Sequence, residues 1–179
     1  MSEQVQAEPE FNVHSLRRES TQGYGDWMSS LIGDLPSWVV TITHEKLSYH
    51  PEQSARVRRH WLNTINQEIF GSHYDRRGEG VLSFFGLEWQ KRGTVHQHGI
   101  IAGEGLLALR RSDQCFQLAS AARGFCRIQL PRNSERSIRY CAKYLSKGGE
   151  LDWWLPRGLK LQQGMAPGLA EYRREVVTA

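Results

Sequence analysis

FFGLEWQKRGTVHQHGIIAG, running from Phe84 to Gly103, reads as a β-hairpin that places three potential metal ligands on one face. Two runs of strand-forming residues flank Lys91-Arg92-Gly93, a three-residue loop with glycine where a left-handed backbone is needed. That loop pairs Gln90 with Thr94, and the same register sets Glu88 opposite His96 and Gly86 opposite His98. Cross-strand Cβ atoms lie about 4.5–5.5 Å apart, close enough for a carboxylate and an imidazole to share one ion. His98 falls on the face of His96 by the period-two rule, and Gly86 leaves space beside it. An H-x-H pair alone is as often two partly exposed surface histidines. With a carboxylate in register it becomes a recurrent divalent-metal set, so Glu88, His96 and His98 are candidate ligands for Mg or Mn.

With 179 residues the chain suits one domain with a proper core. A hydrophobic fraction of 39% and a charged fraction of 23% are those of an ordinary soluble protein. The formal charge of +4 and pI near 9.1 permit a nucleic-acid partner without requiring one. Arginine and lysine cluster at Arg56 to Arg59, Arg76-Arg77, Lys91-Arg92, Arg110-Arg111 and Arg132 to Lys147. Cys115, Cys126 and Cys141 form an odd set without C-x-x-C spacing, which suggests neither a disulfide framework nor a zinc knuckle and fits a reducing, cytoplasmic setting. The polar, acidic start MSEQVQAEPE is unlike a signal peptide, and no apolar run approaches a membrane span.

Residues 1 to 33 lack a sustained period and read as a partly ordered arm able to dock through Phe11, Tyr24 and Trp27. Residues 34–150 form the expected domain, and 151–179 a C-terminal extension whose Trp153-Trp154 start packs on it. After Pro36, SWVVTIT is a first, central strand. Pro51 to Ile69 is a helix, with Val57, Trp61, Leu62, Ile65 and Ile69 inward, Pro51 at its start and Gly71 past its end. In the hairpin's first strand, Val81, Ser83, Phe85, Leu87 and Trp89 supply the core side, while Leu82, Phe84, Gly86 and Glu88 make up the other. A helix follows in the second half of Leu106 to Ala122, capped by Ser112 or Asp113. FCRIQL is a further strand, and Glu135 to Lys147 a last helix capped by Asn133 or Ser134 and stopped by Gly148-Gly149.

At about 100° per residue, Tyr140 and Tyr144 of that helix lie roughly forty degrees apart, with Arg136, Lys143 and Lys147 in the same arc. Ile138, Cys141, Ala142 and Leu145 form its buried side. Taken alone, this is equally an amphipathic helix with a solvated basic face. Read for chemistry, it sets a phenol nucleophile among cations that stabilise a phosphate's negative charge.

SWVVTIT, then Glu88 before VHQHG, then YCAKYLSK resembles, in order and spacing, the three motifs of the HUH rolling-circle replication initiators, in their two-tyrosine form. The motif is named for histidine, hydrophobic residue, histidine; Gln97 departs from it at the residue pointing away from the metal. The resemblance spans Trp38 to Lys147. It implies an α+β fold, a ferredoxin- or RRM-like five-stranded antiparallel sheet flanked by helices. The activity it implies is nicking and joining of single-stranded DNA by transesterification, with a divalent ion on Glu88, His96 and His98. Tyr140 or Tyr144 attacks, leaving a 5′-phosphotyrosine and a 3′-hydroxyl, while Lys143 and Lys147 neutralise or orient the phosphate. Some relatives carry Glu at the position matching Tyr140 and keep a tyrosine matching Tyr144, which favours Tyr144 as first nucleophile. The implied partners are single-stranded DNA or an origin hairpin, with host helicase and polymerase, in a bacterial or archaeal cell. Arg76, Arg77, Arg92 and Arg132 are expected to meet DNA phosphates, and Tyr74 or Trp153 to stack on bases. Competing readings are a transposase or relaxase of the same chemistry, a non-catalytic DNA-binding module of the same fold, and a structural metal-binding domain. No G-x-x-x-x-G-K-[ST] motif is present to mark a fused helicase.

Overall fold

A computed structural model describes residues 13–44, 50–90, 93–146 and 151–157. Five antiparallel strands, β1 (Ser37–His44), β2 (Leu82–Trp89), β3 (Val95–Ala102), β4 (Gly124–Gln129) and β5 (Leu151–Trp154), form one sheet in the order β4-β1-β3-β2-β5. Four helices accompany them: α1 (Val13–Ile32), α2 (Pro51–Phe70), α3 (Arg111–Ala122) and α4 (Ser134–Ser146). From β1 to β4 the succession is strand, helix, strand, strand, helix, strand, the split βαβ arrangement of ferredoxin-like α+β folds. β5 extends it beyond β2. No helix among the described residues is long and apolar enough to cross a membrane.

Both faces of the sheet are covered. On one, Trp38, Val40 and Ile42 of β1 and Phe85 of β2 pack against Trp61 and Ile65 of α2 and Leu118 of α3. On the other, Leu82, Phe84, Ile100 and Ala102 pack against Trp27, Met28 and Ile32 of α1 and Ile138, Cys141 and Ala142 of α4. The face of β2 expected to be merely the outer side of a hairpin is thus a second core. Trp89, expected inward, is 57% exposed because β2 ends there beyond the helices.

The helix caps follow the sequence in two of three cases. Pro51 opens α2 and Gly71, at φ 77°, closes it; Asn133 Oδ1 accepts from the Arg136 backbone N–H at 2.8 Å at the start of α4. α3 instead begins one residue before Ser112, with Arg110 as its N-cap and no side-chain cap bond.

The region expected to be a partly ordered arm contains a 20-residue helix, α1. Gly23 and Gly25 argue against a helix by propensity, but Gly25 is where α1 meets α4: a Cβ there would stand 3.6 Å from Arg139 Cγ and 3.8 Å from Ala142 Cβ. Tertiary packing outweighs the local cost. Trp27 docks as the sequence suggests, edge-on to Phe84 and Trp153.

Beneath the hairpin runs a buried chain of polar groups. Gln97 Nε2 donates to Ser54 Oγ, Ser54 Oγ bonds His44 Nε2, and His44 Nδ1 donates to Ala122 O at 3.2 Å. All three cysteines are free thiols, and burial pushes Cys126 and Cys141 up to about 12.

Burial holds the His44 pKa below its ordinary 6.5, the bond to Ala122 O opposing the shift. The unfolded chain therefore takes up a proton near pH 6.5 that the folded chain refuses, so this contribution is complete above that pH and lost as pH falls through it. Thermal melts from pH 7.5 down to 5.5 are expected to show stability declining with acid, with a shallower decline for His44→Gln; equal slopes would exclude His44 as a source.

Candidate active site

The hairpin loop sets the register from which the site is built. Gly93 takes φ 77° and its N–H bonds Gln90 O at 2.9 Å, while Gln90 N–H bonds Thr94 O at 2.9 Å. Glu88 consequently pairs with His96, and Gly86 with His98. Across the other edge of β3, Thr43 pairs with His96 and Thr41 with His98. One side of the sheet therefore carries two adjacent rows, Glu88–His96–Thr43–Phe125 and Gly86–His98–Thr41–Arg127.

Glu88 and His98 are brought together, Oε2 lying 3.6 Å from Nε2. Thr41 Oγ1 is 3.4 Å from His98 Nδ1, the ring nitrogen remote from Glu88. The two imidazole centroids are 6.0 Å apart. Among the described residues, no three His, Cys, Asp or Glu side chains enclose a metal position as placed. In donor chemistry the three side chains nevertheless fit a divalent ion: two neutral imidazoles and one carboxylate share a face, and two of them already stand near the mutual distance of ligands with bonds of about 2.1 Å. His96 departs furthest, since Gln90 Nε2 donates to its Nδ1 at 3.0 Å, which puts the ring proton of a neutral His96 on Nε2. Half a turn of the Gln90 amide would offer its oxygen to Nδ1 and leave the Nε2 lone pair for a metal.

Helix α4 passes over this face and brings Tyr140 to it. The Tyr140 ring stands edge-on to His98, with centroids 5.9 Å apart and planes at 85°, and is half exposed. Beside it, between α4 and the β1–β4 edge, lies a groove of about 760 Å³ reaching Arg127, Arg132, Arg136 and Lys143; none of its described lining residues is acidic.

Residues 37–149, more than half of the chain and all of β1 through α4, match the family described as replication-associated protein ORF2. The chain belongs to this replication-associated protein family. Searches of curated proteins and of solved structures returned no match. In this replication-associated protein, then, the matched region holds both the histidine face and the tyrosine helix.

The remaining sequence candidates divide. Lys143 and Arg132 line the groove. Tyr144 lies one turn after Tyr140 on α4, and its side chain falls outside the description, as do Lys147 and Arg92 entirely. Arg76 and Arg77 are not brought to the site. Their loop enters β2 at the end where Leu82 pairs with Ala102, six residues or about 20 Å from Glu88. Arg77 there binds Glu79 at 2.7 Å and the carbonyls of Ser72 and Phe70, closing its own loop. The proposed stacking aromatics are engaged internally: Tyr74 donates to Asn63 Oδ1 at 2.9 Å and meets Trp154, and Trp153 packs on Trp27.

Sequence reasoning missed what lies behind the histidines. Gln97, between them on the opposite face, is fully buried and accepts at 2.6 Å from Arg58 Nη1; Arg58 also pairs with Asp152 on β5 and lies 5.1 Å over the Phe85 ring. A glutamine at an inward strand position was itself the available signal, since a buried amide requires partners. Gln97→Leu is expected to destabilise the protein by about 1–3 kcal/mol by stranding Arg58, and Arg58→Met added to it to recover part of that loss. Urea unfolding of the two single variants and the double would measure this; strict additivity would show that the pair does not interact.

Proposed function

We propose that this protein is a metal-dependent enzyme that nicks and rejoins single-stranded DNA at a specific site through a tyrosine, starting rolling-circle replication of a plasmid or phage. The observation carrying the reading is the Tyr140 ring edge-on to His98, with Glu88 3.6 Å beyond. A half-exposed phenol beside a histidine–carboxylate face, bordered by cations, suits attack on a phosphodiester. Membership in a replication-associated family supports this over a transposase or relaxase.

In this reading the Tyr140 oxygen loses its proton and attacks phosphorus. The P–O3′ bond breaks, the 3′ oxygen takes up a proton, and a 5′-phosphotyrosine remains. Arg136 and Lys143, which share the groove with Tyr140, offset charge on the phosphate. Glu88, His96 and His98 would hold a Mg or Mn ion, which when bound polarises the scissile phosphate. Thr41 and Gln90 orient the two rings from behind. The covalent bond retains the energy of the cleaved linkage, so attack by a 3′-hydroxyl reverses the step without ATP. Tyr144, on the same arc of α4, serves as the second nucleophile for closing a circle. The setting is the cytoplasm of the host cell, where helicase and polymerase extend the released 3′ end.

Denaturing gels of the protein incubated with origin-derived single strands and Mn²⁺ are expected to show a covalent adduct. Chelation and the Tyr140→Phe/Tyr144→Phe double variant should abolish it, and Tyr140→Phe alone should reduce first-cut yield roughly tenfold or more. Tight binding with no adduct on any origin strand would sink the enzyme reading in favour of a non-catalytic DNA-binding module.

A further inference from the structure

Phe125 is 63% exposed. Single exposed apolar residues are ordinary on any surface, and Phe116 on α3 is another. Phe125 differs in its place. It pairs with Thr43, which pairs with His96, so its side chain belongs to the row that ends at Glu88, two strand spacings or roughly 10 Å from His96. Helices α1 and α4 cover the other end of this face, over Leu82, Phe84, Ile100 and Ala102, and leave this end accessible. The next residue on the same face, Arg127, sits in the His98 row and opens into the groove that Arg132, Arg136 and Tyr140 also line. The order along the surface is thus an aromatic ring, a chain of guanidinium groups, and a phenol.

We propose that this uncovered half-sheet and the adjoining groove form the track of a single DNA strand, with Phe125 stacking on a base and Arg127, Arg132 and Arg136 holding the phosphates that lead to Tyr140. The occupant is set by charge and shape. A groove with cations and no acidic lining among its described residues takes a polyanion, and an exposed ring on a sheet beside it takes an unpaired base, whose π-face a duplex would keep stacked. Arg139 is not among the phosphate ligands, because Glu135 at 2.9 Å and Asp26 at 3.4 Å already engage it. The assignment rests on the DNA-processing reading above, and its position on β4 adds a contact that selects and registers the strand rather than cutting it.

The experiment is fluorescence-anisotropy titration of the full chain with labelled oligo-dT and mixed-sequence single strands, in EDTA, across a salt series. Phe125→Ala is expected to weaken binding roughly 5- to 100-fold at every salt concentration without altering the slope of log K against log salt, and Phe125→Trp to retain affinity. Arg127→Gln and Arg132→Gln are expected each to reduce that slope by roughly 0.7, the signature of one lost phosphate contact on a single strand. Wild-type affinity in Phe125→Ala, or unchanged slopes in both arginine variants, overturns the track even where covalent adducts form. Tighter binding of the matching RNA strand overturns the choice of DNA. Conversely, the expected shifts in a protein that forms no adduct uphold the track while the nicking chemistry falls.

Discussion

The pairing of Glu88 with His96 is the constraint on which the rest of the structure depends. Strand side chains alternate faces, so one register decides at once which residues face helix α4 and which face α2. A slip of a single residue would bury both histidines and bring Gln97 out to meet Tyr140. Three backbone features hold the register against that slip: the Gln90–Thr94 bond, the left-handed Gly93, and Gly99, where a Cβ would overlap the Phe85 ring packed across the strands. Because β1 and β4 extend the same rows, the register also fixes where Thr41, Phe125 and Arg127 stand.

Behind this face the sheet is not simply oily. A guanidinium buried to 3% exposure is costly unless its hydrogen bonds are satisfied, and Arg58 meets that demand with Gln97, Asp152 and the face of Phe85. Burial still lowers its pKa, with Asp152 opposing the shift. The outcome is a clamp joining α2, the centre of β3 and the edge strand β5. Side chains on the opposite face of β3 gain a backbone that has little freedom to shift, which is what a constellation needing sub-ångström placement requires.

How much of this was legible depended on range. The hairpin register, the caps of α2 and the arc of α4 follow from residues close in sequence, and the structure agrees with each. α1 was hidden because its decisive contact, Gly25 against Ala142, joins residues far apart and uses the very residue type that lowers helix propensity. β5 was hidden because four residues carry too little pattern; Asp152 becomes meaningful only against Arg58. Basic residues misled most readily. Arg76 and Arg77 looked like site residues by proximity to the hairpin in sequence, yet they precede the wrong end of β2, whereas Arg127, inconspicuous in FCRIQL, is carried to the candidate site by strand order. The three candidate ligands were legible as a set, but the Gln90 contact that orients His96 was not.

The connection through α4 carries a consequence for how the molecule bears load. This helix links β4 to β5, which lie at opposite margins of the sheet. Four strand spacings amount to about 19 Å, and thirteen helical residues span about 20 Å, so α4 is cut to the width it must cross. It acts as a strap anchored on both sides. Tension applied at mid-helix, where Tyr140 sits, is divided between two margins, and peeling either edge strand leaves the other still holding.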